Sequence, residues 1–98
     1  MSGEHKLLQE RERAVSARRI LEDPLYQEAT TRLDTMLVSE WKSCADPERR
    51  ERIWTEMKIL RAFQAHFATL LQTGQLATEQ LGQIEEAKKR GFFANLRG

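Results

Sequence analysis

Residues 46–74 read DPERRERIWTEMKILRAFQAHFATLLQTG, and the fold turns on this stretch. It predicts one long helix. Asp46 can accept hydrogen bonds from the first free backbone N–H groups, and Pro47 is preset for the first helical turn. Glu48 adds a negative charge where the helix dipole is positive. Gly74 fits the left-handed position that commonly ends a helix, so a stop is expected at Thr73-Gly74-Gln75. At about 1.5 Å per residue such a rod is roughly 40 Å long.

At 100° per residue, Ile53, Met57, Leu60, Phe67 and Leu71 line one edge of this helix, interrupted by Gln64. A second row, Ile59, Phe63 and Leu70, lies beside the first, with His66 at its border. Together the rows cover about half the circumference, whereas one packed neighbour needs an arc of about 100°. The helix is therefore expected to meet more than one partner, within the chain or in another subunit.

Working back toward the N-terminus, Asp23-Pro24 repeats the device of Asp46-Pro47 and marks a second helix start. Between the two starts Tyr26, Ala29, Leu33, Met36, Leu37, Trp41 and Cys44 follow helical 3-4 spacing. Only about two residues separate this helix from the next, which makes the two antiparallel neighbours. Glu40 falls inside the stripe, near Arg49, Arg50 and Arg52 of the next helix, and an ion pair is expected there. Residues 1–22 predict a charged helix with a thin apolar stripe (Leu7, Leu8, Val15, Ile20, Leu21), in which Arg11, Arg13, Arg18 and Arg19 are offset by Glu10 and Glu12.

Beyond Gly74, Leu76 is expected to pack at a bend. Thr78 reads as the N-cap of a fourth helix over 78–90, with Leu81, Ile84 and Ala87 inward and Gly91 as its stop. The tail 91–98, GFFANLRG, carries Phe92, Phe93 and Leu96 directly after Lys88, Lys89 and Arg90. These rings either fold back onto the hairpin or present aromatic anchors to a partner. Trp54 lies off the main stripe and poses the same choice.

The whole chain of 98 residues reads as a single all-α domain: a long antiparallel αα-hairpin over 23–73, flanked by two shorter helices. Hydrophobic residues make up 40% and charged residues 32%, with 5 Gly and 2 Pro, a helical balance. The formal net charge of +1 weighs against a protein whose main task is coating nucleic acid. The lone Cys44 sits on an apolar stripe and reads as a buried thiol. MSGEHKLLQERER does not read as a signal peptide, and no stretch approaches the roughly 18 apolar residues of a membrane span. An intracellular protein with no membrane partner is expected.

His5 and His66 belong to different elements and have no cysteine or clustered acid at ligand spacing, so no metal site is expected. No Gly-rich phosphate loop, GxSxG or serine-histidine-acid set is recognisable, and neither a cofactor nor enzymatic activity is expected. Residues 62–90 come nearest to a helix-turn-helix, but Glu79, Glu85 and Glu86 sit on the would-be recognition helix.

At RRILEDPLYQEA, WKSCADPERRERIW and LLQTGQLA the chain resembles small helical proteins of tailed bacteriophages and prophages, over about residues 18–77. A related architecture is the oligomerising core of small terminase subunits, where long antiparallel hairpins pack around a ring. Such subunits pair that core with a DNA-binding segment, for which this sequence offers no convincing counterpart, and with a tail, for which Lys88 to Gly98 is the candidate. The resemblance implies a non-enzymatic oligomerising adaptor in particle assembly or DNA packaging, in the cytoplasm of a bacterial host or in the virion. Its protein interface would comprise Trp54, Ile59, Phe63 and Leu70, with Phe92, Phe93 and Leu96 docking another protein. Two other readings stand beside it. One is a small regulator holding nucleic acid through Arg11, Arg13, Arg18, Arg19, Lys88, Lys89 and Arg90. The other is a phage inhibitor of a host protein.

Overall fold

The computed structural model describes residues 2–97. It is all-α: α1 spans Ser2–Glu22, α2 Pro24–Ser43 and α3 Pro47–Arg97. Met1 and Gly98, the last residue of the expected tail, lie outside the described residues.

Two Asp-Pro steps divide the chain. At the first, Asp23 takes an extended conformation (φ −66°, ψ 123°), as the residue before a proline tends to. Its Oδ1 accepts from the Leu25 and Tyr26 N–H groups at 2.8 and 3.1 Å, an N-cap for α2. The interruption is one residue long, and Gln27 Nε2 bridges it by donating to the Leu21 carbonyl at 2.9 Å. At the second step Asp46 Oδ2 accepts from the Arg49 N–H at 3.2 Å and the chain reverses into α3.

Arg50 holds that reversal together. Its guanidinium donates to the Trp41 and Cys44 carbonyls at 2.7 and 2.9 Å and lies 4.2 Å from the Trp41 ring centre. It thereby satisfies carbonyls that the end of α2 leaves open. The expected ion pair between Glu40 and the arginines at the start of α3 is not formed. Arg50 is committed to backbone oxygens instead.

The largest departure from expectation is α3 itself. It runs unbroken for 51 residues, where a stop was expected at Gly74 and a fourth helix over 78–90. Among the described residues no glycine takes a positive φ, and α3 continues through both Gly74 and Gly91. Thr78 is no N-cap: its hydroxyl donates to the Gly74 carbonyl at 2.9 Å, a bond made inside a continuing helix. Leu76 packs at no bend and is exposed, as is Ala87, while Leu81 and Ile84 are half-buried.

Gly74 has a different task. A Cβ built on it would overlap the Ala14 Cβ and come within 3.0 Å of the Glu10 carbonyl oxygen. Around this point Ala17 and Ala77 are buried to 2% and 1% exposure. The missing side chain lets α1 cross α3 at backbone range.

α1 and α2 thus follow one another along α3, antiparallel to it. Trp41 faces Trp54, Asp34 faces Arg61, Tyr26 faces Phe67, Ala14 faces Gly74 and Glu4 faces Lys88 in turn. The molecule is a rod of 78 × 26 × 18 Å. Its radius of gyration is 21.7 Å, against about 13 Å for a globular domain of this length. The apolar core is small: Leu37, Ile53, Met57 and Leu60 are buried, with Val38, Trp41 and Cys44 packed on them.

Candidate interaction surface

The two partners expected for α3 are both present, yet they do not lie side by side. α2 and α1 cover successive lengths of α3, and the second row is left open beside α2 but closed in where α1 begins. Ile59 is 64% exposed and Phe63 52%, whereas Leu70 is half-buried.

The same thing happens on α2. Leu37 is buried and Tyr26, Trp41 and Cys44 are half-buried, as their spacing suggests. Leu33 and Met36, assigned from sequence to the core stripe, are exposed, and so is Ala29. Leu25, which is not part of the expected stripe, is 73% exposed.

These two uncovered rows share a flank. Asp34 and Arg61 meet across one side of the α2–α3 seam, and Trp41 and Trp54 meet on that side with ring centres 6.0 Å apart. Counted at 100° per residue, Leu25, Leu33 and Met36 fall on the opposite side of α2. Ile59 and Phe63 fall on the opposite side of α3 by the same count. An aromatic series links this flank to the seam: Phe63 meets Phe67 edge-on at 5.3 Å, and Phe67 meets Tyr26 at 5.8 Å. His66 packs against Phe67 at 5.9 Å. The Tyr26 hydroxyl is buried without a hydrogen-bond partner. One flank of the rod is apolar over about 17 Å, the rise from Leu25 to Met36.

The other flank is mixed, polar along α2 and aromatic at Trp41 and Trp54. It carries the Asp34–Arg61 pair and the exposed Thr35, Ser39 and Lys42. Trp54, expected at an interface, lies here rather than with Ile59 and Phe63. It is 39% exposed, packed on Trp41 with the Lys58 ammonium 5.6 Å from its ring centre.

At the far end, α3 outruns α1. Glu4 pairs with Lys88 at 3.0 Å, and the turns after Arg90 have no helix opposite them. Phe92, Phe93 and Leu96 are 61%, 59% and 67% exposed, and the two rings stack edge-on at 5.7 Å. Both rings are displayed rather than folded back.

The cations singled out from sequence do not converge. Arg11, Arg13, Arg18 and Arg19 are exposed along α1. Lys88, Lys89 and Arg90 are each paired with a carboxylate, Glu4, Glu85 and Glu86, at 3.0, 3.8 and 3.6 Å. Between Lys88, opposite Glu4, and Arg18 lie about 20 Å of helix. Among the described residues no three His, Cys, Asp or Glu side chains are grouped so as to hold a metal ion, and no helix is long and apolar enough to cross a membrane. Comparison with family models, with curated proteins and with solved structures returns no match.

Proposed function

We propose that this chain is a non-enzymatic adaptor that works by protein–protein contact. It associates with its own copies through the apolar flank and presents Phe92, Phe93 and Leu96 to another protein. The observation that carries this reading is the uncovered flank: large apolar side chains of two helices, aligned on one side of a rod, face water. The setting in phage particle assembly or DNA packaging rests on the resemblance at residues 18–77 alone; the geometry adds the surface, not the setting.

Two features favour contact with protein over contact with nucleic acid. The basic residues at 88–90 are matched by carboxylates and lie about 20 Å of helix from Arg18, so the two basic groups do not join into one patch facing a phosphate backbone. The aromatic tip has the opposite character, with anchors of the type that carries binding energy at protein interfaces.

The test is the solution mass by light scattering over a concentration series, for the whole chain and for a chain ending at Arg90. Both are expected to associate, because the flank lies far from the removed residues. A chain that stays at 11.4 kDa throughout would overturn self-association. Loss of association on truncation would move the contact from the flank to the tip.

A further inference from the structure

Charge is not spread evenly along the chain. Residues 1–86 hold 12 Lys and Arg against 15 Asp and Glu. Residues 87–98 hold four cations, Lys88, Lys89, Arg90 and Arg97, and no Asp or Glu at all. The near-neutral total therefore conceals an acidic rod with a basic end. That end is also where α3 outruns α1 and displays Phe92, Phe93 and Leu96.

The two features are interleaved on one helix. Counted at 100° per residue, Phe92, Leu96 and Phe93 fall within an arc of about 100°, the width that one packed partner covers. Lys88 and Lys89 stand one turn before Phe92 and Phe93, and Arg90 lies beyond the far edge of the arc, so cations collar the base of the aromatic tip. The Lys89–Glu85 and Arg90–Glu86 pairs, at 3.8 and 3.6 Å, are exposed i,i+4 contacts, which contribute little in water and give way to a better partner. The anchors are already helical, as the last turns of α3, so docking need order no new segment.

We infer that the occupant of this tip is an apolar groove with an acidic rim in another protein, which takes the last turns of α3 as a helix. This rests on the adaptor reading above and adds the chemistry of the partner. Aromatic and aliphatic anchors gathered on one arc are what a groove reads from a docked helix. The rim carboxylates pair with the basic collar, while the net negative charge of residues 1–86 is repelled by the same rim, which directs the approach to the tip. A flat anionic bilayer fits less well. Glu85 lies on the side of the aromatic arc, two turns before Phe92, so laying that arc on a plane also presses Glu85 against lipid phosphates, whereas a groove can be as short as the tip.

The experiment titrates the full chain calorimetrically against two probes. One is calcium-loaded calmodulin, an acidic protein with an open apolar groove; the other is phosphatidylcholine vesicles containing phosphatidylserine. Binding to calmodulin is expected, with loss when calcium is removed and the groove closes. Phe92→Ala with Phe93→Ala should weaken it by at least about tenfold, as loss of anchor residues does. Lys89→Gln with Arg90→Gln should weaken it several-fold at low salt and little at high salt. Circular dichroism checks that each variant keeps its helix content. Binding to the vesicles alone would overturn the inference in favour of a lipid surface. Binding that needs the two rings but ignores Lys89, Arg90 and salt would overturn the acidic rim, and no binding to either probe would overturn the groove. Light scattering on the same samples reports self-association separately, so failure of the groove and failure of the adaptor reading are told apart.

Discussion

Gly74→Ala is the substitution whose outcome separates two accounts of the long helix. Were Gly74 an ordinary glycine in an exposed helix, alanine would stabilise the chain by about 1 kcal/mol. The crossing of α1 over α3 predicts the reverse. The new methyl would overlap the Ala14 Cβ, and carbon atoms in contact prefer a separation of about 3.5–4.0 Å. The helices must then part by about 1.5 Å over a contact that already contains Ala17 and Ala77. Overpacking of this kind costs about 1–3 kcal/mol, which outweighs the gain in helix propensity and leaves a net loss of about 1 kcal/mol. Gly82 and Gly91 serve as internal controls, because nothing lies within 4 Å of a Cβ built on either. Urea unfolding of the three alanine variants, at one fixed protein concentration, is the assay. Gly82→Ala and Gly91→Ala should be neutral or stabilised, Gly74→Ala destabilised, and Ala14→Gly added to Gly74→Ala should recover part of the loss by exchanging the two side chains across the crossing. Stabilisation of Gly74→Ala to the level of Gly82→Ala would refute the close crossing.

Three further outcomes follow from named contacts. Arg50→Ala exposes two carbonyls at the end of α2 and removes the stacking on Trp41. A loss of about 1–3 kcal/mol in urea unfolding is expected, and Arg50→Lys should recover little of it, since an ammonium lacks the planar fork. Asp23→Ala removes the acceptor for the Leu25 and Tyr26 N–H groups and should cost about 1 kcal/mol, while Asp23→Asn should cost less. Tyr26→Phe deletes a buried hydroxyl that has no partner. It should be neutral or stabilising by up to about 1 kcal/mol, and a clear loss of stability would mean that the hydroxyl is paired in solution.

The legible parts of this fold were those written in local chemistry. Asp23-Pro24 and Asp46-Pro47 mark helix starts because a capping carboxylate and a fixed φ act within one turn. The seam between α2 and α3 was likewise readable from the spacing of Leu37, Ile53, Met57 and Leu60. Gly74 misled because a glycine that ends a helix and one that admits a neighbouring backbone look alike in a single sequence. A signal was available: Ala14 with Ala17 and Gly74 with Ala77 are both small pairs three residues apart, the pattern of two helices in close approach. Leu33 and Met36 were assigned to the core because an apolar stripe says how wide a buried arc could be, not how much of it a partner covers. The excess arc on α3 was read correctly as a sign of more partners. Where those partners sit depends on the one-residue interruption at Asp23, which keeps α1 running on past α2 along α3.

The central claim is that one flank of the rod is reserved for a protein contact. Hydroxyl-radical footprinting at low and high protein concentration tests it directly, side chain by side chain. The account predicts that Leu33, Met36 and Phe63 become protected as concentration rises, while Trp54, Phe92 and Phe93 keep their reactivity. Protection at Trp54 or at the tip, with Met36 and Phe63 unchanged, would contradict it.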